Sequence, residues 1–375
     1  MRMSAPFALV LVAAVVGGAL APAPVRAEPT EGPYVHRVLS ATSADGLTWT
    51  RDEGVRWAHA SVPCAVVDGE RILLYAVDAD RGPGQRESTG LFTSTDGLTF
   101  QKQPFAIEGN PAKKALDPCV VRDPKGGFRL YYLASSIDGN PARAPEDHEI
   151  HVATSADGVR FQEAGVALRR PGLVDPDVFL FGGTWFCYVF AHGKTEIATS
   201  KDGLTFTYQR DLDLPGYGTT SPVALDDGRL RLYAFEQGKP GGNAFHSFVS
   251  KDGIAWTREE GVRLKAADDE LITDPFVVRW KSGWKMYFKA EPRRTGRPGR
   301  PPGPGPRGPG GPGGPGAPGS HGEAPPLDAQ GKPNRNRPGP WDSDVLVMRL
   351  GKDGSTETLA TWPRAGVPTV TRMAD

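Results

Sequence analysis

The sequence predicts an all-β fold: a five-bladed β-propeller of four-stranded antiparallel blades, with six blades as the alternative count. Short apolar runs of strand length alternate with tight turns, and hardly any stretch has helical periodicity. A Ser-x-Asp-Gly turn also recurs, with an aromatic residue three positions after the Gly. Its five clear copies begin 45 to 61 residues apart, which is about the length of one four-stranded blade.

Residues 1–27 have the composition of a secretory signal peptide. Arg2 supplies a positive start, Phe7–Leu20 form an apolar core, and Val25-Arg26-Ala27 fits a small-residue cleavage site. The apolar core is shorter than a membrane span. We therefore expect a mature protein that begins near Glu28, is secreted to the periplasm or the extracellular space, and does not associate with a membrane after cleavage.

The charge balance limits the choice of partners. The chain has 44 basic and 44 acidic side chains, and this zero formal net charge disfavours nucleic acid as the main partner. We expect a monomer without a cofactor. We also expect no metal site, because the acidic pairs and the His148/His151 pair lack the ligand spacing of a dedicated site. The three cysteines are interpreted as buried small side chains without a disulfide framework.

The order of the segments assigns most of the chain to the propeller. The Ser-x-Asp-Gly copies are interpreted as structural hairpin turns, because Asp accepts backbone hydrogen bonds and Gly adopts the left-handed conformation. We expect either residues 34–50 or residues 345–362 to close the ring. The predicted domain spans residues 28–375, and residues 293–340, rich in Gly and Pro, are predicted to be a disordered insertion in the last blade.

Acidic residues are predicted to gather at the mouth of the central channel. The inner strands of a propeller surround this channel, and three of them begin with Asp followed by Pro. The predicted rim also includes residues near those starts and at the ends of the second strands: Asp117, Asp175, Asp177, His192, Glu236, Asp274 and Glu291. Several carboxylates on one concave surface can perform acid–base chemistry. The alternative is structural, since Pro favours an extended preceding residue and Asp caps turns.

The motifs Leu116-Asp117-Pro118, Val174–Phe179 and Thr273–Phe276, with the turns between them, resemble those of five-bladed propeller glycosidases. These are glycoside hydrolase family 43 and its relatives, such as arabinanases and xylosidases. The resemblance implies that Asp117 is the general base and that Asp175 orients the acid. Where the family has a catalytic Glu, this sequence has Thr220-Ser221-Pro222. Glu236, on the second strand of the same blade, is the predicted substitute.

Two functions follow as alternatives. The first is an inverting acid/base hydrolase of polysaccharide or oligosaccharide that uses Asp117, Asp175 and Glu236. In that case we expect the substrate to contact the other candidate site residues, namely Asp177, His192, Ser221, Asp274 and Glu291. The second is a non-catalytic propeller that binds glycan or protein after loss of the acid. A deep pocket in which Glu236 faces Asp117 would favour the enzyme, and a shallow mouth lined by Thr220 and Ser221 would favour the binder.

Overall fold

The computed structural model describes residues 32–81, 85–112, 114–135, 147–237, 243–293, 345–350 and 356–362. The predicted signal peptide and all but the first residue of the predicted insertion (293–340) lie outside these ranges. The chain divides into two compact units, Met1–Arg300 and Pro301–Asp375. The first contains the propeller, and the second contains one hairpin. The prediction of one domain over residues 28–375 stays a prediction for the second unit.

Five mainly antiparallel sheets confirm the five-bladed propeller. A 3-10 turn at Gly32–Tyr34 precedes β1 (Arg37–Ser43), β2 (Thr50–Arg51) and β3 (Trp57–Ala58), which belong to the last blade. Blade 1 contains β4 (Ala60–Asp68), β5 (Arg71–Asp78), β6 (Ser88–Ser94) and β7 (Gln101–Gln103). Blade 2 contains β8 (Ala106–Glu108), β9 (Lys114–Arg122), β10 (Phe128–Ser135), β11 (Asp147–Ser155) and β12 (Arg160–Pro171).

The remaining strands complete the ring in chain order. Blade 3 contains β13 (Val174–Phe181), β14 (Thr184–Ala191), β15 (Lys194–Ser200) and β16 (Thr207–Asp211). Blade 4 contains β17 (Tyr217–Ala224), β18 (Leu230–Glu236), β19 (Ala244–Ser250), β20 (Thr257–Arg258) and β21 (Leu264–Lys265). Blade 5 contains β22 (Glu270–Trp280) and β23 (Gly283–Pro292), and the second unit contains β24 (Val345–Leu350) and β25 (Thr356–Trp362).

The N-terminal strand closes the ring. β1 pairs with β23 from Arg37 opposite Ala290 to Ser43 opposite Trp284, so it is the third strand of blade 5. The hairpin β24–β25 instead forms a two-stranded sheet of its own. Of the two segments considered for closure, residues 34–50 therefore provide it. The innermost strand of each blade (β4, β9, β13, β17 or β22) contacts the innermost strands of the two neighbouring blades and lines the axis.

The Asp-Gly turns have the hydrogen bonds predicted from the sequence. Asp45 Oδ1 accepts hydrogen bonds from the backbone N–H groups of Leu47 (2.8 Å) and Thr48 (2.7 Å). Gly46 adopts φ 72° and donates its N–H to Ser43 Oγ at 2.8 Å. The turns at Asp96, Asp157, Asp202 and Asp252 repeat this pattern. These residues build the scaffold.

A cycle of tyrosine hydroxyls joins each blade to the next. Tyr131 of blade 2 donates its hydroxyl hydrogen to the carbonyl of Gly203 in the Asp-Gly turn of blade 3, at 2.7 Å. The other four blades repeat the contact, through Tyr75 to Gly158, Tyr188 to Gly253, Tyr233 to Gly46 and Tyr287 to Gly97. All five tyrosines are fully buried. Because a buried carbonyl without a partner is costly, these bonds fix the spacing of neighbouring blades.

Candidate active site

Every inner strand has a β-bulge, and those of blades 2, 3 and 5 lie at the same register position and begin with Asp. The ladders skip Asp117-Pro118 in β9, Asp175-Pro176 in β13 and Asp274-Pro275 in β22. These Asp residues have φ values of 50°, 51° and 52°, in the left-handed region. Asp is among the few residues other than Gly that tolerate this conformation. The extended geometry predicted before these prolines is therefore wrong, and the bulges place three carboxyls at equivalent positions.

Blade 4 has no carboxyl at the equivalent position. The β17–β18 ladder runs from Tyr217 opposite Glu236 to Thr220 opposite Ala234, so it skips Gly218 and Thr219. Ser221 lies opposite Tyr233 as Cys119 lies opposite Tyr131, so the counterpart of Asp117 is Thr219, which immediately precedes the Thr220-Ser221 pair predicted by aligning Pro222. A Cβ at Gly218 would lie 2.1 Å from a ring carbon of Phe235. No acidic side chain fits there while this ring stays in place.

Asp274 is held as a carboxylate by a buried cation and two hydroxyls. Lys289 Nζ lies 2.7 Å from Asp274 Oδ2, Thr219 donates to Oδ1 at 2.8 Å, and Thr273 donates to Oδ2 at 3.0 Å. Burial alone would raise the pKa of Asp274, but the Lys289 ammonium and these hydrogen bonds together lower it. Asp274 also raises the pKa of Lys289, against the opposing effect of burial. Both groups are therefore charged at neutral pH.

The pKa values of Asp117 and Asp175 are raised, in contrast to that of Asp274. The backbone N–H of Asp175 donates to Asp117 Oδ2 at 3.5 Å, so the two residues are neighbours. Burial and the nearby Asp274 charge raise the pKa of Asp117 to about 6. Burial, with the charges of Asp117 and Asp274, raises the pKa of Asp175 well above its usual range. The pKa values of the three bulge carboxyls are therefore shifted in different directions, upward for Asp117 and Asp175 and downward for Asp274.

The axial cavity is small and polar. Its volume is about 30 Å³, and its lining includes Asp175, Asp177, Thr219, Thr220 and Asp274, together with the four bulge prolines (Pro63, Pro118, Pro176 and Pro275). Thr220 donates to Asp177 Oδ2 at 3.2 Å, and burial raises the pKa of Asp177 well above its usual range. This volume is about that of one water molecule, so a sugar ring does not fit inside it.

The other predicted site residues lie outside the lining of this cavity, including Asp117, whose Oδ2 is 3.5 Å from the backbone N of Asp175. The Glu236 carboxylate is 3.9 Å from Nε2 of His246, on the third strand of blade 4. His192 is exposed in the β14–β15 turn, where its ring covers Gly172. Ser221 is buried, and its Oγ accepts the backbone N–H of Val277 at 2.9 Å. Glu291 lies 3.1 Å from His36.

The structure thus brings together the four aspartates Asp117, Asp175, Asp177 and Asp274. The catalytic and binding roles assigned to all eight residues stay predictions. Sequence reasoning missed Lys289 and Thr219. The only signal for Lys289 was a cation in a mainly apolar strand that also contains Lys285, and strand alternation does not reveal its reach toward the axis. Within the described ranges, no group of three or more His, Cys, Asp or Glu is arranged to hold a metal ion. The same ranges contain no helix long and apolar enough to span a membrane.

No protein-family model matches the chain, and no curated protein matches it in sequence. Solved structures do resemble it. A thermostable family-43 glycoside hydrolase is 14% identical over 66% of this chain and 96% of its own, with a TM-score of 0.46. An α-L-arabinofuranosidase from Clostridium thermocellum is 16% identical over 82% and 94%, with a TM-score of 0.47.

A third similar structure is the Cellvibrio cellulosa α-L-arabinanase complexed with arabinohexaose. It is 16% identical over 62% of this chain and 86% of its own, with a TM-score of 0.46. Structures of the family that the sequence motifs indicated are thus among those that this chain resembles, and at these identities the likeness concerns the fold.

Proposed function

We propose that this protein is a glycoside hydrolase that acts on polysaccharide or oligosaccharide at the mouth of the propeller axis. The observation that supports the proposal best is the pairing of Asp175 and Asp274, which line one cavity and have pKa values shifted in opposite directions. Neighbouring carboxyls whose environments separate their pKa values are typical of acid/base pairs in hydrolases. The glycan lies across the opening, because the cavity below has room only for water.

Each carboxyl then has a distinct role. Asp175, whose pKa is raised well above its usual range, donates its proton to the leaving glycosidic oxygen. Asp117, whose pKa is raised to about 6, is mostly ionised at neutral pH and accepts a proton from the attacking water. Asp274 stays ionised beside Lys289 and stabilises positive charge that develops on the sugar ring. This scheme keeps Asp117 as base and moves the acid from Glu236 to Asp175, because Asp175 lines the cavity.

A non-catalytic glycan-binding propeller is the second candidate. Two observations favour it. Blade 4 has Thr219 where blades 2, 3 and 5 have an aspartate, and the cavity is only about 30 Å³ in volume. In this case the axial aspartates accept hydrogen bonds from sugar hydroxyls and transfer no proton.

One set of measurements separates the candidates. Purified protein is assayed against aryl arabinosides, xylosides and galactosides and against polysaccharides, and binding of the matching oligosaccharides is measured by calorimetry. The hydrolase proposal expects turnover that falls at least about 100-fold in Asp175→Asn. Asp211→Asn, at an exposed ion pair with Lys194, is the control and should retain activity. Binding without turnover establishes the second candidate, and neither binding nor turnover overturns both.

We also propose that the protein is exported and acts as a monomer, on the basis of the apolar leader at residues 1–27 and the balanced charge. Mass spectrometry of the protein recovered outside the cytoplasm should give a chain that starts at Glu28 or close to it. Light scattering should give the mass of one chain. Recovery of the uncleaved chain in the cytoplasm would contradict export.

A further inference from the structure

Three polar side chains from distant parts of the chain meet where blade 5 joins blade 1. His36 precedes β1, Ser61 lies in the inner strand β4, and Glu291 lies near the end of β23. His36 Nδ1 is 3.0 Å from Ser61 Oγ, and His36 Nε2 is 3.1 Å from Glu291 Oε2. Ring closure by the N-terminal strand brings them together.

The partners define the direction of both hydrogen bonds. A carboxylate can only accept, so His36 Nε2 carries the hydrogen that points to Glu291. The lone pair of Nδ1 then faces Ser61 and can accept its hydroxyl hydrogen. The hydrogen bond with His36, reinforced by the charge of Lys289, lowers the pKa of Glu291 in spite of partial burial. A hydroxyl, a histidine and a carboxylate in this order form an activated nucleophile.

The backbone after Ser61 has a second feature that is found at the nucleophiles of hydrolases. The β4–β5 register passes from Ser61 opposite Val77 to Cys64 opposite Tyr75, so Val62 lies outside the ladder. Val62 has φ 47°, which is an outlier for a β-branched residue. Val62 follows the hydroxyl-bearing residue directly. The N–H after a nucleophile is the position from which hydrolases stabilise an oxyanion.

The neighbouring space limits the size of the group that could react. Val62 and Pro63 line the axial cavity of about 30 Å³, and Ser61 immediately precedes them in the chain. A cavity of that volume accommodates the methyl group of an acetyl ester but not a long acyl chain. The His36 and Glu291 side of the cluster is more open, because the Glu291 side chain is 34% exposed.

We propose that Ser61, His36 and Glu291 form a second site that hydrolyses short-chain acyl esters, of which O-acetyl groups are the best fit. Ser61 Oγ bonds to the ester carbonyl carbon while its proton passes to His36 Nδ1. The carbon–oxygen bond to the alcohol then breaks, and the alcohol leaves with that proton. Water adds to the acyl-serine, gives a proton to Nδ1, and releases the carboxylic acid as Ser61 Oγ regains its hydrogen. This activity does not depend on the proposed glycosidase.

Polar side chains at other junctions between blades make different contacts from the Ser61, His36 and Glu291 cluster. Ser88 Oγ accepts the N–H of Ala115 at 3.0 Å, and His148 Nδ1 lies 2.8 Å from the carbonyl of Leu173. These links bind backbone groups of the next inner strand. The junction at His36 joins a hydroxyl and a carboxylate through one imidazole. Ser88→Ala is therefore a matched control, because it removes an inter-blade serine that does not contact a histidine.

The test labels the full-length protein with a biotinylated fluorophosphonate and follows hydrolysis of 4-nitrophenyl acetate, butyrate and octanoate. We expect one label per chain, on the peptide that contains Ser61, and hydrolysis that is fastest for acetate. Ser61→Ala should abolish labelling, Glu291→Gln should slow labelling at least 10-fold, and Ser88→Ala should match the wild type.

Absence of labelling, labelling at another serine, or unchanged hydrolysis in Ser61→Ala would overturn the proposal. Circular dichroism checks the folding of each variant. If Ser61→Ala does not fold, Glu291→Gln tests the proposal in its place. An unchanged labelling rate in this folded variant would show that Glu291 does not act on Ser61 through His36. The glycoside assays depend on Asp117 and Asp175, so failure of either proposal is seen separately.

Discussion

Asp117→Asn should make the protein more stable at pH 8, although it removes a predicted catalytic group. Asp117 is half-buried, and its pKa is raised by burial and by the charge of Asp274. The ionised carboxylate therefore destabilises the fold above that pKa. Asn is nearly isosteric, keeps an oxygen that can accept the N–H of Asp175, and tolerates the left-handed backbone at this position. The substitution thus removes the charge with little change in packing.

The size and sign of the effect follow from linkage. A carboxyl whose folded-state pKa is raised contributes its full stability below its ordinary pKa and loses it as the pH rises through the folded-state value. For Asp117 this window runs from 3.8 to about 6. At about 1.4 kcal/mol for each pH unit, the ionised side chain costs about 3 kcal/mol above pH 7. Asp117→Asn should therefore gain up to about 3 kcal/mol at pH 8, and close to none at pH 4.

Urea unfolding followed by fluorescence at pH 4 and pH 8 measures this difference. Asp274→Asn is the control of opposite sign, because the pKa of Asp274 is lowered by Lys289 and by hydrogen bonds that outweigh its burial. It should lose stability at pH 8 and nearly as much at pH 4, because the stability that a lowered pKa contributes is lost only as the pH falls below 3.8. If Asp117→Asn has the same effect on the free energy of unfolding at both pH values, the charge of Asp117 does not destabilise the fold and the reasoning is refuted.

Three further substitutions test single contacts. Tyr131→Phe leaves a buried turn carbonyl without its donor and should cost about 1–3 kcal/mol in urea unfolding; an unchanged midpoint would show that the tyrosine cycle does not stabilise the ring. Lys289→Met leaves the buried Asp274 carboxylate unpaired and should cost about 3–5 kcal/mol at pH 8, with a smaller loss at pH 4, where the carboxyl can be protonated; equal losses would contradict the ion pair. Gly218→Ala should lower the thermal midpoint, because its Cβ meets Phe235, and a midpoint equal to the wild type would show that the ring moves aside.

The fold was predictable because its signals are local. Asp45 accepts N–H groups two and three residues further along the chain, so the Ser-x-Asp-Gly motif alone specifies the turn. The spacing of the copies then gives the blade length. The tyrosine cycle was not predicted, because Tyr131 bonds a carbonyl in the next blade and no spacing rule connects these residues before the blades are assembled.

The site was predictable only in part, for a geometric reason. The Asp-Pro steps mark three inner-strand bulges, but in blade 4 the bulge lies at Gly218 and Thr219, so the counterpart of Asp117 immediately precedes the pair that the proline suggested. A register shift depends on pairing with the second strand and leaves no trace in composition. The contact of Lys289 with Asp274 likewise depends on the register of the β22–β23 hairpin. The meeting of His36 with Ser61 depends on ring closure, which joins residues far apart in sequence.

The pH dependence of kcat/KM on a hydrolysed aryl glycoside tests the central claim most directly. The account predicts a bell-shaped profile that rises through about pH 6 as Asp117 ionises and falls at higher pH as Asp175 loses its proton. Asp117→Asn should remove the acidic limb together with most of the activity. A profile that is flat between pH 4 and pH 9, or that is unchanged in Asp117→Asn, would contradict catalysis by the axial aspartates.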